Sequence, residues 1–174
     1  VIKVFVKLYN DKLIYKDKKL VNWDTQLKTA ISDLEVTQKD VNSKLYYIEY
    51  KLENSDKKIT IATTRPETMM GDTAIAVNPK DDRYVDLINK IVEIPIVGRT
   101  IKIISDNYAD PDQGSGAVKI TPAHDFNDYQ VGKRNKIEII NIFEKYGTIN
   151  ENGIKELKGL DSFESRNLVE HKLK

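Results

Sequence analysis

The chain has 174 residues, of which 40% are hydrophobic and 32% charged, with a formal net charge of +1 and no cysteine. That length holds one well-buried core, and the globular composition excludes an intrinsically disordered protein. The near-zero charge excludes a strongly basic nucleic-acid surface, though not RNA contact shared with other domains, and the lack of cysteine excludes disulfides and thiolate metal sites.

No apolar run approaches the roughly 20 residues that span a bilayer, so no membrane partner is expected, and a cytoplasmic location fits the cysteine-free composition. Methionine occurs only at Met69 and Met70, and a chain that opens on Val1-Ile2-Lys3 is expected to be part of something larger. Apolar positions Val1, Val4, Phe5 and Leu8 have helical spacing that stops at Asn10-Asp11. Leu13 to Trp23 mixes short apolar pairs with lysines and reads as an exposed arm or short strands. The β-branched and aromatic runs Leu45–Leu52 and Lys58–Thr63 flank Glu53-Asn54-Ser55-Asp56, which predicts an antiparallel hairpin. Ala74–Val77 is a short buried strand, and the spacing from Asp82 to Lys90 predicts a surface helix. A second hairpin follows, from Val92–Val97 through Gly98-Arg99 to Ile101–Ile104. Gly116–Ile120 is predicted as a strand, Phe126–Arg134 as a helix and Ile137–Ile142 as a further strand. A Gly/Asn-rich loop then precedes a helix over Phe163–Leu173, capped at Asp161-Ser162. Many strands with few helices between them predict an α+β domain with a mainly antiparallel, barrel-like sheet.

Two polar clusters run out of β-like stretches. The first is Thr63-Thr64-Arg65-Pro66-Glu67-Thr68, a hydroxyl-rich strand end stopped by proline. In isolation its threonines are sheet pairs and Glu67 is a partner for Arg65. The second runs from Gly114 to Asp128 and ends in His124-Asp125-Phe126-Asn127-Asp128, between a strand and a helix. Free backbone N–H groups at such a helix start favour anions and a developing oxyanion. Asp125 is equally well explained as the N-cap, with Asp128 closing an acidic capping box. Lys119 and Thr121 alternate onto one face of their strand, which makes a polar pocket between the clusters. A divalent metal on His124, Asp125 and Asp128 is the weaker alternative, because the only other histidine is His171.

These motifs resemble the editing domain that class I aminoacyl-tRNA synthetases for branched aliphatic amino acids carry as an insertion. The valyl type is closest. Thr29–Val36, Met70–Pro79 and Asp128–Arg134 carry that likeness beside the two clusters, and Lys119 with Thr121 separates it from the leucyl and isoleucyl types. The resemblance implies a β-barrel-centred domain over residues 1–174. Residues 1–40 would be its arm or linker inward, and 155–174 an exit helix toward a synthetic domain.

The signatures His-Ile-Gly-His and Lys-Met-Ser-Lys-Ser are absent from the chain. The resemblance therefore implies no ATP-dependent charging here and no cofactor or metal for this domain, with ATP and magnesium used only by the synthetic domain of the parent valine-tRNA ligase. The implied reaction is hydrolysis of threonine from the 3′ end of tRNA(Val). Valine and threonine are nearly isosteric, and an apolar synthetic pocket of this kind is known to reject the added hydroxyl by only about 10². A second pocket, lined by Lys119, Thr121 and Asp125, would bond that hydroxyl and supply the remaining accuracy.

By the same resemblance Asp128, Asp125, Lys119 and Thr64 are the catalytic candidates, with Asp128 on the α-ammonium group. Thr63, Arg65, Glu67, Asp110, Thr121 and His124 are the substrate-binding candidates. In Asp110-Pro111-Asp112-Gln113-Gly114 the chain departs from its relatives, which often have glutamate first and an aromatic before the glycine. Altered adenosine binding is expected from that change. The rival readings are a tRNA-acceptor-binding module with a weak pocket, an editing domain of the leucyl or isoleucyl type, and a metal-dependent phosphohydrolase.

Overall fold

A computed structural model describes residues 1–174. Helix α1 (Ile2–Asn10) buries none of its residues, and a two-stranded hairpin follows, β1 (Asn22–Asp24) with β2 (Thr29–Ile31). The body is a six-stranded sheet in the order β4-β3-β6-β7-β5-β8. Its strands are β3 (Tyr46–Leu52), β4 (Lys58–Thr63), β5 (Ala74–Val77), β6 (Ile91–Glu93), β7 (Thr100–Ser105) and β8 (Ala117–Ile120). All its neighbours are antiparallel except the β5–β7 pair. The outer strands β4 and β8 lie side by side, so the sheet curls into a nearly closed barrel. Helices α2 (Phe126–Asn135) and α3 (Ser162–Leu173) pack around it. The expected α+β architecture with a mainly antiparallel barrel is the one observed. No helix is long and apolar enough to cross a membrane.

Period-two patterning builds this barrel. In β3, Ile48, Tyr50 and Leu52 are buried while Glu49 and Lys51 face solvent, and β4 contributes Ile59 and Ile61 to the same core. Strand β5 is buried on both faces. Ile75 and Val77 join the barrel interior, whereas Ala74 and Ala76 pack outward against Ile120 and Val131 of α2. The small residues reflect close approach of that helix: a Cβ on Gly132 would lie 2.8 Å from the Pro122 ring.

Three predicted elements differ. Asp82–Lys90 is not a helix; only Val85–Leu87 forms a 3-10 turn. Asn89 adopts φ 71°, and its N–H and the Lys90 carbonyl pair with Ile103, which draws the segment into the sheet. Strand β6 stops at Glu93 instead of Val97, because Pro95 lacks a donor and Ile96 takes φ 58°. Ile137–Ile142 joins no ladder: the Ile137 N–H closes the end of α2 on Gly132, and the Ile142 N–H donates to the His124 ring. The C-terminal helix forms with Asp161 as N-cap and a capping box to Glu164. The segment before β1 touches α2 through a hydrogen bond from the Tyr129 hydroxyl to the Lys18 carbonyl (2.6 Å). Within the hairpin, the Trp23 indole donates to the Lys145 carbonyl (3.0 Å).

Candidate active site

Three pieces of chain leave the barrel on one side and converge. The end of β4 delivers Thr63, Thr64 and Arg65, the 3-10 segment Pro66–Gly71 adds Thr68, and β8 with the turn after it supplies Lys119, Thr121, His124, Asp125 and Asp128. With Leu45, Ala62, Tyr108 and Val118 they enclose a cavity of about 280 Å³.

The cavity floor is a buried polar network. Lys119 sits opposite Ile75 in the β5–β8 ladder and so points, like Ile75, into the barrel. A buried ammonium group needs partners. Lys119 Nζ donates to Thr68 Oγ1 (2.8 Å), to Asp72 Oδ1 (2.9 Å) and to Thr121 Oγ1. Asp72 has no solvent exposure. It also accepts from the Thr121 hydroxyl at 2.6 Å and, on its other oxygen, from the Tyr50 hydroxyl at 2.7 Å. Burial, reinforced by the Asp72 charge, holds the Tyr50 phenol well above its ordinary pKa, so Tyr50 remains a donor.

The start of α2 forms one wall. Asp125 is its N-cap and accepts from the N–H groups of Asn127 (2.8 Å) and Asp128 (3.0 Å). The capping box expected from Asp128 does not close. Instead Asp128 Oδ2 accepts the Thr121 N–H at 2.9 Å. Burial raises the Asp128 carboxyl to about 6, against the opposing effect of that hydrogen bond. Tyr108 is raised by burial first and then by Asp128 and Asp125.

His124 backs the cavity. Its Nε2 accepts the Ile142 N–H at 3.0 Å, which leaves the proton on Nδ1, and its ring meets Phe143 edge-on with centroids 4.8 Å apart. Burial, then Arg65 and Lys119, lower it to about 4, so the imidazole is neutral. Its carbonyl accepts Arg65 Nη1 at 2.9 Å, which ties the two strand ends together.

Eight of the ten sequence-predicted site residues therefore line one cavity, and Glu67 and Asp110 do not. Successive residues of a 3-10 turn point about 120° apart, so Thr68 faces the cavity while Glu67 turns to α3. There the fully buried Glu67 accepts two bonds from Arg166, at 2.9 and 2.8 Å, with Arg65 at 3.6 Å. Asp110 accepts the Asp112 N–H at 3.0 Å in an outer loop. Sequence reasoning passed over Asp72, Thr68, Tyr50 and Tyr108. Thr68 ends the first polar cluster, and Asp72 stands beside Gly71 at the entrance to a buried strand, a signal that points to an inward carboxylate. The two tyrosines carried none. No three of the histidine, aspartate and glutamate side chains converge as a metal site.

In fold the chain is similar to LeuRS in the LeuRS–tRNA–LeuAMS ternary complex of Agrobacterium radiobacter K84. The TM-score is 0.56 at 19% identity, over 96% of this chain and 29% of that one. The family model for tRNA synthetases class I (I, L, M and V) matches residues 1–161, and the chain belongs to that family. By sequence it is similar to the valine–tRNA ligase of Pelagibacter ubique, 68% identical over 174 residues, which is 100% of this chain and 20% of that protein. The valine–tRNA ligase of Francisella tularensis is 52% identical over 167 residues, 96% of this chain and 18% of that protein. The chain thus spans about one fifth of the length of the curated relatives it matches.

Proposed function

We propose that this cavity is a post-transfer editing site that hydrolyses the ester of threonyl-tRNA(Val), within a valine–tRNA ligase whose other domains hold most of the tRNA. The observation that supports this reading is that the Asp128 carboxylate and the Thr68 and Thr121 hydroxyls line one small cavity. A substrate with an ammonium group and a side-chain hydroxyl on adjacent carbons satisfies both at once. Valine satisfies only the first.

In the proposed reaction Asp128 binds the α-ammonium group through a charge-assisted bond. Thr63, Thr64 and Arg65 flank the terminal adenosine and the scissile ester at the cavity mouth. Water attacks the ester carbonyl, oriented by Asp125 and Thr64 and by the terminal ribose hydroxyl. The neutral His124 acts as a spacer that holds Arg65 and the Ile142 segment in place and moves no proton. No side-chain nucleophile, cofactor or metal enters the scheme.

Release of threonine from threonyl-tRNA(Val), measured with and without chelator, tests this. Chelator-resistant release is the expected result. Release abolished by chelator would move the assignment to a metal-dependent hydrolase, and no release from a folded chain at high concentration would overturn the deacylase reading for this chain.

A further inference from the structure

The hydrogen-bond directions in the cavity floor are forced by chemistry. An ammonium group has three donors and no acceptor, and all three of those on Lys119 are committed inside the protein, to Thr68, Asp72 and Thr121. Lys119 has no donor left for a substrate. The Thr121 hydroxyl spends its only hydrogen on the Asp72 carboxylate, which can only accept, and takes one bond from Lys119. The Thr68 hydroxyl spends its hydrogen on the Arg65 carbonyl at 2.9 Å and likewise takes one bond from Lys119. Each hydroxyl oxygen therefore retains one acceptor position and no donor.

We infer that Asp72 is a positioning residue that sets the polarity of this floor, so that the cavity reads a hydrogen-bond donor on the substrate side chain and not merely a polar atom. The inference rests on the editing reading and deepens it. Lys119 does not grip the substrate hydroxyl in this arrangement. It supplies the charge and one bond each to Thr68, Thr121 and Asp72, while Asp72, held in turn by Tyr50, decides which way the Thr121 hydrogen points. A side chain that offers an acceptor of the same size meets two oxygen lone pairs and is repelled. One that offers an O–H donates its single hydrogen to one of them and makes the bond the floor lacks.

The test uses non-hydrolysable amide analogues of aminoacyl-adenosine carrying threonine, valine, or the threonine analogue with fluorine in place of the hydroxyl. Fluorine keeps the size and removes the donor. Binding to the 174-residue chain is measured by calorimetric titration. The threonyl analogue is expected to bind about tenfold more tightly than the fluoro analogue, the worth of one well-made hydrogen bond against an unpaired one. Asp72→Ala removes the acceptor of the Thr121 hydrogen and frees it to turn into the cavity, so the threonyl-to-fluoro ratio should shrink toward one. Tyr50→Phe removes a bond to Asp72 without reversing the floor, and the ratio should survive.

Equal binding of threonyl and fluoro analogues to the unaltered chain would overturn the inference while leaving the editing reading intact, and it needs no variant to fold. Failure to bind the threonyl analogue at all would overturn both. A folded Asp72→Ala variant that keeps the full ratio would remove Asp72 from the role.

Discussion

Glu67 and Asp72 stand five residues apart around one 3-10 segment, and both are fully buried. Their fates differ. Glu67 faces α3 and is closed by the two parallel bonds of Arg166, with Arg65 alongside at 3.6 Å. Asp72 faces the barrel interior and is bound by one ammonium and two hydroxyls, two of which belong to cavity-lining residues. The first carboxylate is a clamp that docks a helix; the second organises a surface that a ligand can touch. Burial and an ion pair do not by themselves mark a functional site. What distinguishes the two is whether the partners have anything left to offer a third molecule.

Breaking the clamp should give the largest effect on stability and the smallest on ligand recognition. Arg166→Ala leaves a buried carboxylate with only the more distant Arg65 and should cost about 3 kcal/mol in chemical denaturation. Binding of the threonyl-adenosine amide should change less than about twofold, and a large loss of binding without a loss of stability would erase the distinction. Asp128→Ala should behave in the opposite way, lowering deacylation on the order of 100-fold with the fold intact. A stable and fully active variant would remove Asp128 from the mechanism.

The raised Asp128 carboxyl gives two pH signatures. If its anion binds the ammonium group, kcat/KM should fall about tenfold per unit as pH drops below about 6. An activity profile flat from pH 7 to 5 would contradict that role. The stability effect has the opposite sign. Because the folded-state value lies above the ordinary 3.8, Asp128 favours folding fully below pH 4 and loses that contribution as pH rises through about 6. Asp128→Asn lacks this titration. Relative to the unaltered chain it should gain on the order of 2 kcal/mol above pH 7 and lose the advantage toward pH 4. Denaturation curves at the two ends of that range check it. The smallest expected effect is Tyr50→Phe, which removes one buried bond to Asp72 at a cost of about 1–2 kcal/mol, visible as a lowered melting temperature.

The barrel was legible in the sequence because its strands obey a strict period: Ile48, Tyr50 and Leu52 inward, and Glu49 and Lys51 outward. The 82–90 segment was misread because Tyr84, Leu87 and Ile88 pack on the core from successive tight turns, which mimic helical spacing over a short window. Ile137–Ile142 looked like a strand because it is apolar, but the Ile137 and Ile142 N–H groups go to a helix end and a side chain instead of a ladder.

In the cavity, side-chain alternation was enough to place Lys119 and Thr121 together, and the strand-to-helix junction was enough to place Asp125 at the cap. Glu67 was grouped with its threonine neighbours because nothing local shows that a 3-10 segment rotates it out of the cavity toward Arg166, 99 residues later in the chain. Asp72 escaped notice for the complementary reason. Its meaning lies in Lys119, Thr121 and Tyr50, 47, 49 and 22 residues away, and only the folded barrel brings them together.

The most direct test of the central claim is a single-turnover comparison of threonyl-tRNA(Val) and valyl-tRNA(Val) on the unaltered chain, at equal concentration and saturating protein. Threonine should leave at least about 100-fold faster than valine, because only threonine supplies the hydroxyl that the cavity floor requires. Equal rates for the two esters would contradict the claim that this cavity selects its substrate by that hydroxyl.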